Sequence, residues 1–142
     1  MREKRLDYKV LDHTADLGMI VCAETLEGLF ESAALSMIHI MLKVEQTGPS
    51  SITPLSIEGQ DLADLMVRWL GEVLYLFEGE RVITVDANVQ SLSGHHLEAS
   101  VSTIPFDPQV HEVLYEIKAV TYHQIEVLKK NSHWKTRVVF DL

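Results

Sequence analysis

Two stretches of the chain, over about residues 26–42 and 61–78, repeat apolar side chains at helical spacing. In both stretches the apolar residues recur three and four positions apart, so that they line one face of an α-helix. Thr25 and Asp61 stand at the positions of N-cap residues, and Gly79 follows the second stretch as a C-terminal cap. The pattern therefore predicts two amphipathic helices, each with one wide apolar face.

The rest of the chain alternates apolar and polar residues in short runs, which is typical of β-strands. The predicted strands cover residues 6–11, 19–23, 52–58, 82–85, 97–103, 119–128 and 134–140. Pro54 marks its strand as an edge strand or a bend. Ser93-Gly94 and Asn131-Ser132 provide turns between successive strands.

The order of these elements predicts an α+β fold. It consists of a mixed, mainly antiparallel sheet with both helices packed on one face. No linker or low-complexity run interrupts the chain, so residues 1–142 are predicted to form a single domain.

Composition narrows the classes of function. No segment is long and apolar enough to span a membrane, and no apolar signal segment follows the basic start, which predicts a cytoplasmic protein with no membrane association. The formal net charge is −9, whereas proteins that hold RNA or DNA directly normally present a basic face. The acidic balance favours a cation or a basic protein as partner, with no direct nucleic-acid binding. A single cysteine, Cys22, excludes an internal disulfide and a cysteine zinc site.

The first cluster of candidate functional residues lies between the first two predicted strands, in a loop over residues 12–18. It contains the carboxylates of Asp12 and Asp16, together with His13 and Thr14. Carboxylates in such a loop can bind a hard cation such as calcium or magnesium. Alternatively, Asp12 and Thr14 make local hydrogen bonds to the turn backbone. Taken alone, the loop favours the turn.

A second polar cluster covers residues 118–123. Lys118 at the strand entrance can hold a phosphate or an acidic loop as a point charge, and His123 can act as a base or orient a carboxylate. The alternative is an ordinary edge strand with polar residues facing water. Isolated histidines such as His39 and His111 fit surface or helix positions, and no role is assigned to them.

The third cluster is at the end of the sequence. If the last strand lies beside residues 19–23, Asp141 and the oxygen atoms of Leu142 reach Asp16. Such crowding of like charges is unfavourable without a cation, so this arrangement would imply a bound metal ion.

These motifs together resemble the archease family. The matching segments are Asp-His-Thr-Ala-Asp-Leu-Gly at 12–18, Lys-Ala-Val-Thr-Tyr-His at 118–123 and Phe-Asp-Leu at 140–142. Leu65, Trp69 and Leu70 also fit the family pattern, and the resemblance spans nearly the whole chain. It implies an accessory protein rather than an enzyme. Such a protein activates the tRNA-splicing RNA ligase, promoting its guanylylation and multiple turnover during tRNA splicing or RNA repair.

The resemblance also implies a metal site formed by Asp16, Asp141 and Leu142. The family usually ends in isoleucine, and leucine supplies the same backbone oxygens. Calcium is the first choice of divalent ion, with magnesium and manganese as alternatives. Further candidate functional residues are Asp12, His13, Thr14, Lys118 and His123. The position of Asp12 is often glutamate in the family.

Two other classes of function stay open on the residues alone. The first is a metal-dependent phosphoester hydrolase, with Asp12, Asp16 and Asp141 holding the ion and His13 or His123 as base. The second is a chaperone-like module. It ranks last because the predicted core accounts for the apolar residues.

Overall fold

The computed structural model describes residues 6–12 and 15–142. The elements in chain order are β1 (Asp7–Asp12), β2 (Asp16–Ala23), α1 (Leu26–Met41), β3 (Leu42–Lys43), β4 (Ser51–Glu58), α2 (Leu62–Glu78), β5 (Val82–Leu92), β6 (His96–Pro105), β7 (Glu112–Val113), β8 (Ala119–Lys130) and β9 (His133–Asp141).

Both helices begin at the predicted caps. The Gly28 N–H donates to Thr25 Oγ1 over 3.0 Å, and the Asp64 N–H donates to Asp61 Oδ1 over 2.8 Å. The Gln60 N–H in turn donates to Asp64 Oδ2 over 2.9 Å, so two otherwise free donors at the start of α2 are satisfied. Neither helix, nor any other in the described part of the chain, is long and apolar enough to cross a membrane.

The strands form a four-stranded sheet in the order β1-β2-β9-β8, a three-stranded sheet in the order β4-β6-β5 and a two-stranded sheet of β3 and β7. Every pair is antiparallel. The predicted α+β class is confirmed, and Pro54 lies on an edge strand as predicted. The strands are divided among three sheets instead of one. The sequence did not indicate β3 and β7, because strands of two residues carry no alternation.

The helices pack against both larger sheets. α1 contacts β2 and β5, α2 contacts β8 and β5, and the two helices contact each other. Trp69 of α2 is fully buried, and its indole N–H donates to the Phe30 carbonyl of α1 over 2.8 Å. The two predicted apolar faces therefore meet in one contiguous core.

Two expectations about local structure are wrong. β2 begins at Asp16 rather than at residue 19, because Asp16 and Leu17 pair with Asp141 and Phe140 of β9. Only residues 13–15 separate β1 from β2, so the predicted 12–18 loop is mostly strand. His111 is only 3% exposed rather than on the surface, and it contacts Glu45, Phe106 and Asp107.

Candidate functional site

Asp16 and Asp141 lie directly opposite each other in the β2–β9 pair. Their neighbours Leu17 and Phe140 are fully buried, so strand alternation places both aspartates on the outer face of the four-stranded sheet. Residues directly opposite in an antiparallel pair have Cβ atoms about 4.5–5.5 Å apart. The predicted neighbourhood of β2 and the last strand is therefore confirmed, and it brings two carboxylates together.

Two main-chain hydrogen bonds hold the surroundings of this pair. The Leu142 N–H donates to the Ala15 carbonyl over 3.3 Å, and the Lys118 N–H donates to the Asp141 carbonyl over 2.8 Å. Ala119 pairs with Asp141 on the other side. The start of β2, the end of β9 and the start of β8 thus meet at one end of the sheet, as the two clusters in the sequence predicted.

The donor atoms at this end fit a hard cation. Facing carboxylates repel each other unless a positive charge lies between them. Oxygen donors suit calcium, magnesium or manganese, whereas structural zinc sites are built from sulfur and imidazole ligands. In residues 6–12 and 15–142, no three His, Cys, Asp or Glu side chains group as metal ligands. Within the described residues, the main-chain oxygens of Leu142 and water are therefore the candidates for further ligands at the Asp16–Asp141 pair.

Asp12 is placed differently from Asp16. It lies on β1 opposite Leu17, whose side chain faces the core, and is therefore on the inner side of the sheet. Strand register thus separates the two carboxylates of the motif onto opposite faces. His13 and Thr14 lie outside the described residues.

His123 is also distant from the aspartate pair. It lies four residues beyond Ala119 on β8, or about 13 Å along an extended strand. The β8–β9 register shifts between Thr121 and Glu126, and the His123 N–H donates to Thr121 Oγ1 over 3.2 Å within this irregular stretch. Of the 118–123 cluster, only the Lys118 end meets the aspartates.

The irregular stretch of β8 instead positions Tyr122 against α2. The Tyr122 hydroxyl donates to Asp64 Oδ1 over 2.6 Å, and the Arg68 Nε–H donates to the same carboxylate over 3.0 Å. The Tyr122 hydroxyl, followed by the Gln60 N–H and Arg68, holds the pKa of Asp64 below its usual range. The same hydrogen bond raises the pKa of Tyr122. The sequence offered no signal for this contact, because its partners lie on distant elements that share no motif.

Comparison with known proteins finds relatives over nearly the whole chain. A sequence model of the Archease protein family matches residues 8–142. The curated protein archease of Methanosarcina mazei is 35% identical over 139 residues, covering 95% of each chain. Protein archease of Thermococcus kodakarensis is 32% identical over 135 residues, covering 92% of this chain and 95% of its own.

A solved structure is similar over the same length. The solution structure of Methanobacterium thermoautotrophicum protein 1598 covers 95% of this chain and 98% of its own. It is 28% identical, with a TM-score of 0.75. The arrangement of sheets and helices described above is thus one that a solved structure shares.

Proposed function

Because this chain belongs to the archease family, we propose that it is an accessory protein of the tRNA-splicing RNA ligase, without a reaction of its own. In this proposal it promotes guanylylation and multiple turnover of the ligase in the cytoplasm, during tRNA splicing or RNA repair. The observation that carries the proposal is the direct pairing of Asp16 with Asp141 at the end of the four-stranded sheet. That pairing joins the first and last of the sequence motifs through which the chain resembles the family.

We infer that Asp16, Asp141 and the oxygens of Leu142 hold a divalent cation, with calcium as first choice and magnesium or manganese as alternatives. When bound, such an ion offsets the repulsion between the carboxylates and presents positive charge to phosphate oxygens of a partner. The protein contributes the orientation: the β2–β9 pairing sets the spacing of the carboxylates, and the Lys118 N–H fixes the Asp141 main chain.

The overall charge supports a protein partner. At a net charge of −9 the molecule repels nucleic acid and attracts a basic, RNA-handling protein. Lys118 beside the aspartates is the candidate contact to a phosphate in the assembled complex. Roles for Asp12, His13, Thr14 and His123 stay predictions.

The hydrolase and chaperone-like alternatives gain no support from the geometry. The hydrolase needs Asp12 beside Asp16 and a histidine base at the ion. Strand register places Asp12 on the other face, and His123 is about 13 Å along the strand. The other candidate base, His13, lies outside the described residues. The buried core accounts for both apolar helix faces, which leaves neither of them available to a client protein.

The test is a guanylylation assay of the ligase with Asp16→Asn and Asp141→Asn variants of this protein. Each substitution removes one negative charge and keeps the size of the side chain, so the fold should persist while stimulation of the ligase is lost. Asp7→Asn is the matched control, because Asp7 is an exposed aspartate on the same sheet that pairs with Cys22. Full stimulation by both test variants would contradict the proposal.

A further inference from the structure

A pocket of about 560 Å³ extends to Lys118, at the start of β8. Its walls include Met41, Phe77, Arg81, Val113, Tyr115 and Lys118. Lys118 connects the pocket with the aspartate pair, since its main chain is bonded to Asp141 and its residue lines the pocket. The volume is within the range of about 300–1,000 Å³ that is typical of small-molecule sites.

Arg81 occupies an unusual backbone position in this pocket. It follows α2 with φ of +56°, a left-handed conformation that favours glycine at the end of a helix. The Arg81 N–H donates to the Phe77 carbonyl over 3.1 Å, and the Phe106 N–H donates to the Arg81 carbonyl over 2.9 Å. An arginine is therefore held where backbone geometry alone would select glycine.

The Arg81 side chain is also oriented. Its guanidinium carbon lies 5.2 Å from the centre of the Phe77 ring and 4.8 Å from that of Phe106, in cation–π contact with both. The Phe77 and Phe106 rings meet at 88°, so the planar guanidinium can lie parallel to at most one of them, and those of its N–H groups that face neither ring stay able to donate. The donors of Arg81 are thus preorganised at the pocket wall.

Neither cation of the pocket has an acidic partner in the described part of the chain. The ion pairs there are Arg68 with Asp64 and His96 with Glu98. Arg81 and Lys118 are both exposed, so both can reach a ligand. Two carboxylates, Glu78 and Glu116, line the same pocket and lower its positive potential without pairing with either cation.

We propose that this pocket binds a phosphate-bearing small molecule, with Arg81 donating in a bidentate manner to one phosphate and Lys118 neutralising a second. A planar guanidinium matches the geometry of phosphate oxygens, and an ammonium acts on them as a point charge. The phosphate chain is either free or carried by a nucleoside. This site shares Lys118 with the surroundings of the Asp16–Asp141 pair but contains neither aspartate, and ligand binding to it does not require the ligase.

The experiment is calorimetric titration of the full chain with inorganic tripolyphosphate, with EDTA present so that no metal ion at the aspartates contributes. Arg81→Gly removes the guanidinium and suits the backbone at φ of +56°. We expect Arg81→Gly and Lys118→Met each to weaken binding by about tenfold or more, as loss of a charge-assisted bond does. Glu116→Gln, which removes a negative charge from the wall, should tighten binding.

Lys130→Met is the matched control, because Lys130 is an exposed lysine at the other end of β8. It should bind tripolyphosphate as the unsubstituted protein does. Arg81→Lys provides a second variant should Arg81→Gly fail to fold; it keeps the charge but loses the fork and should bind with intermediate affinity.

A parallel titration with GTP separates the two sources of phosphate. Tighter binding of GTP than of tripolyphosphate supports a nucleotide ligand, and equal binding supports recognition of the phosphate chain alone. Absence of binding for both probes, or equal affinity of the unsubstituted protein, Arg81→Gly and Lys118→Met, would overturn the proposal. Because ligase and metal are absent, neither result bears on stimulation of the ligase.

Discussion

The Asp64 carboxylate accepts hydrogen bonds from Tyr122, the Gln60 N–H and Arg68, and these bonds lower its pKa. A carboxyl group whose pKa is lowered by folding stabilises the fold above its unfolded pKa. That contribution is lost as the pH falls through the folded-state pKa. We therefore expect the contact between β8 and α2 to weaken below about pH 4, near and under the ordinary aspartate pKa.

Tyr122→Phe tests this assignment at a single side chain. The substitution removes the hydroxyl that lowers the Asp64 pKa most, so the pKa of Asp64 should rise towards its ordinary value. The measurement is the pH titration of the Asp64 carboxyl carbon by NMR. Tyr75→Phe is the control, since Tyr75 is an exposed tyrosine on the same helix. An Asp64 titration curve unchanged by Tyr122→Phe would show that the hydroxyl does not act on this carboxylate.

The hydrogen-bond partners of His111 determine which of its ring nitrogens carries the proton. Its Nδ1 accepts from the Asp107 N–H over 3.0 Å, so Nε2 carries the proton that it donates to the Glu45 carbonyl over 2.7 Å. The ring also stacks on Phe106 with centroids 6.0 Å apart. Both nitrogens are satisfied by main-chain groups, which indicates a structural histidine rather than a base.

His111→Ala should lower the free energy of unfolding by about 1–3 kcal/mol, because it removes a buried side chain together with its two part-buried hydrogen bonds to the main chain. Urea denaturation followed by circular dichroism measures the loss. The exposed His95 provides the control, and His95→Ala should cost far less. Equal effects of the two substitutions would contradict the structural role of His111.

The caps of the two helices act at the scale of the element. Asp61→Ala removes the acceptor of the Asp64 N–H and should cost about 1 kcal/mol of stability in chemical denaturation. Thr25→Ala, at the start of α1, should cost a similar amount for the same reason. Ser50→Ala, at an exposed residue outside both helices, should leave the midpoint of chemical denaturation almost unchanged. Caps that could be replaced without cost would mean that packing alone sets where the helices begin.

At the β2–β9 pair, the sign of the change in stability caused by Asp16→Asn should depend on whether a divalent ion is present. Without divalent ions, Asp16→Asn should raise the free energy of unfolding by a few tenths to about 1 kcal/mol, because it removes the repulsion with Asp141. With calcium in excess, the unsubstituted protein should gain stability from binding and the variant should gain little. Thermal unfolding of both proteins, in EDTA and in calcium, measures the difference. The same ranking in both buffers would argue against a cation at this pair.

Elements with local signals and the neighbourhood of β2 and β9 were predictable from the sequence, but the strand register and the division into three sheets were not. Helical spacing and the caps Thr25 and Asp61 predicted α1 and α2, since each cap bonds within one turn. Asp16 and Asp141 were identified as a pair from their motifs and from the order of strands. The different face of Asp12 depends on strand register, and the position of His123 depends on a bulge in β8, neither of which a single sequence displays.

At the scale of the whole molecule, charge should control encounter with a partner. A net charge of −9 attracts a basic protein. At 0.1 M ionic strength, salt largely screens this attraction beyond about 10 Å. If the proposed function is right, the concentration of this protein that half-activates the ligase should rise steadily with added potassium chloride. A titration of guanylylation at several salt concentrations tests this. A half-activating concentration that does not change with salt would mean that apolar contacts, not charge, bring the two proteins together.

The position of β9 between β2 and β8 also determines how late the four-stranded sheet can form during synthesis. During synthesis, β1, β2 and α1 leave the ribosome early, whereas the strand that completes their sheet is made after all the others. Pairing across so much chain carries a large loop-closure cost and is slow. Until β9 emerges, β2 has one unpaired edge, which other nascent strands can join. Chaperones that hold early segments should therefore matter more for the yield of this protein than for one of equal size built from neighbouring hairpins.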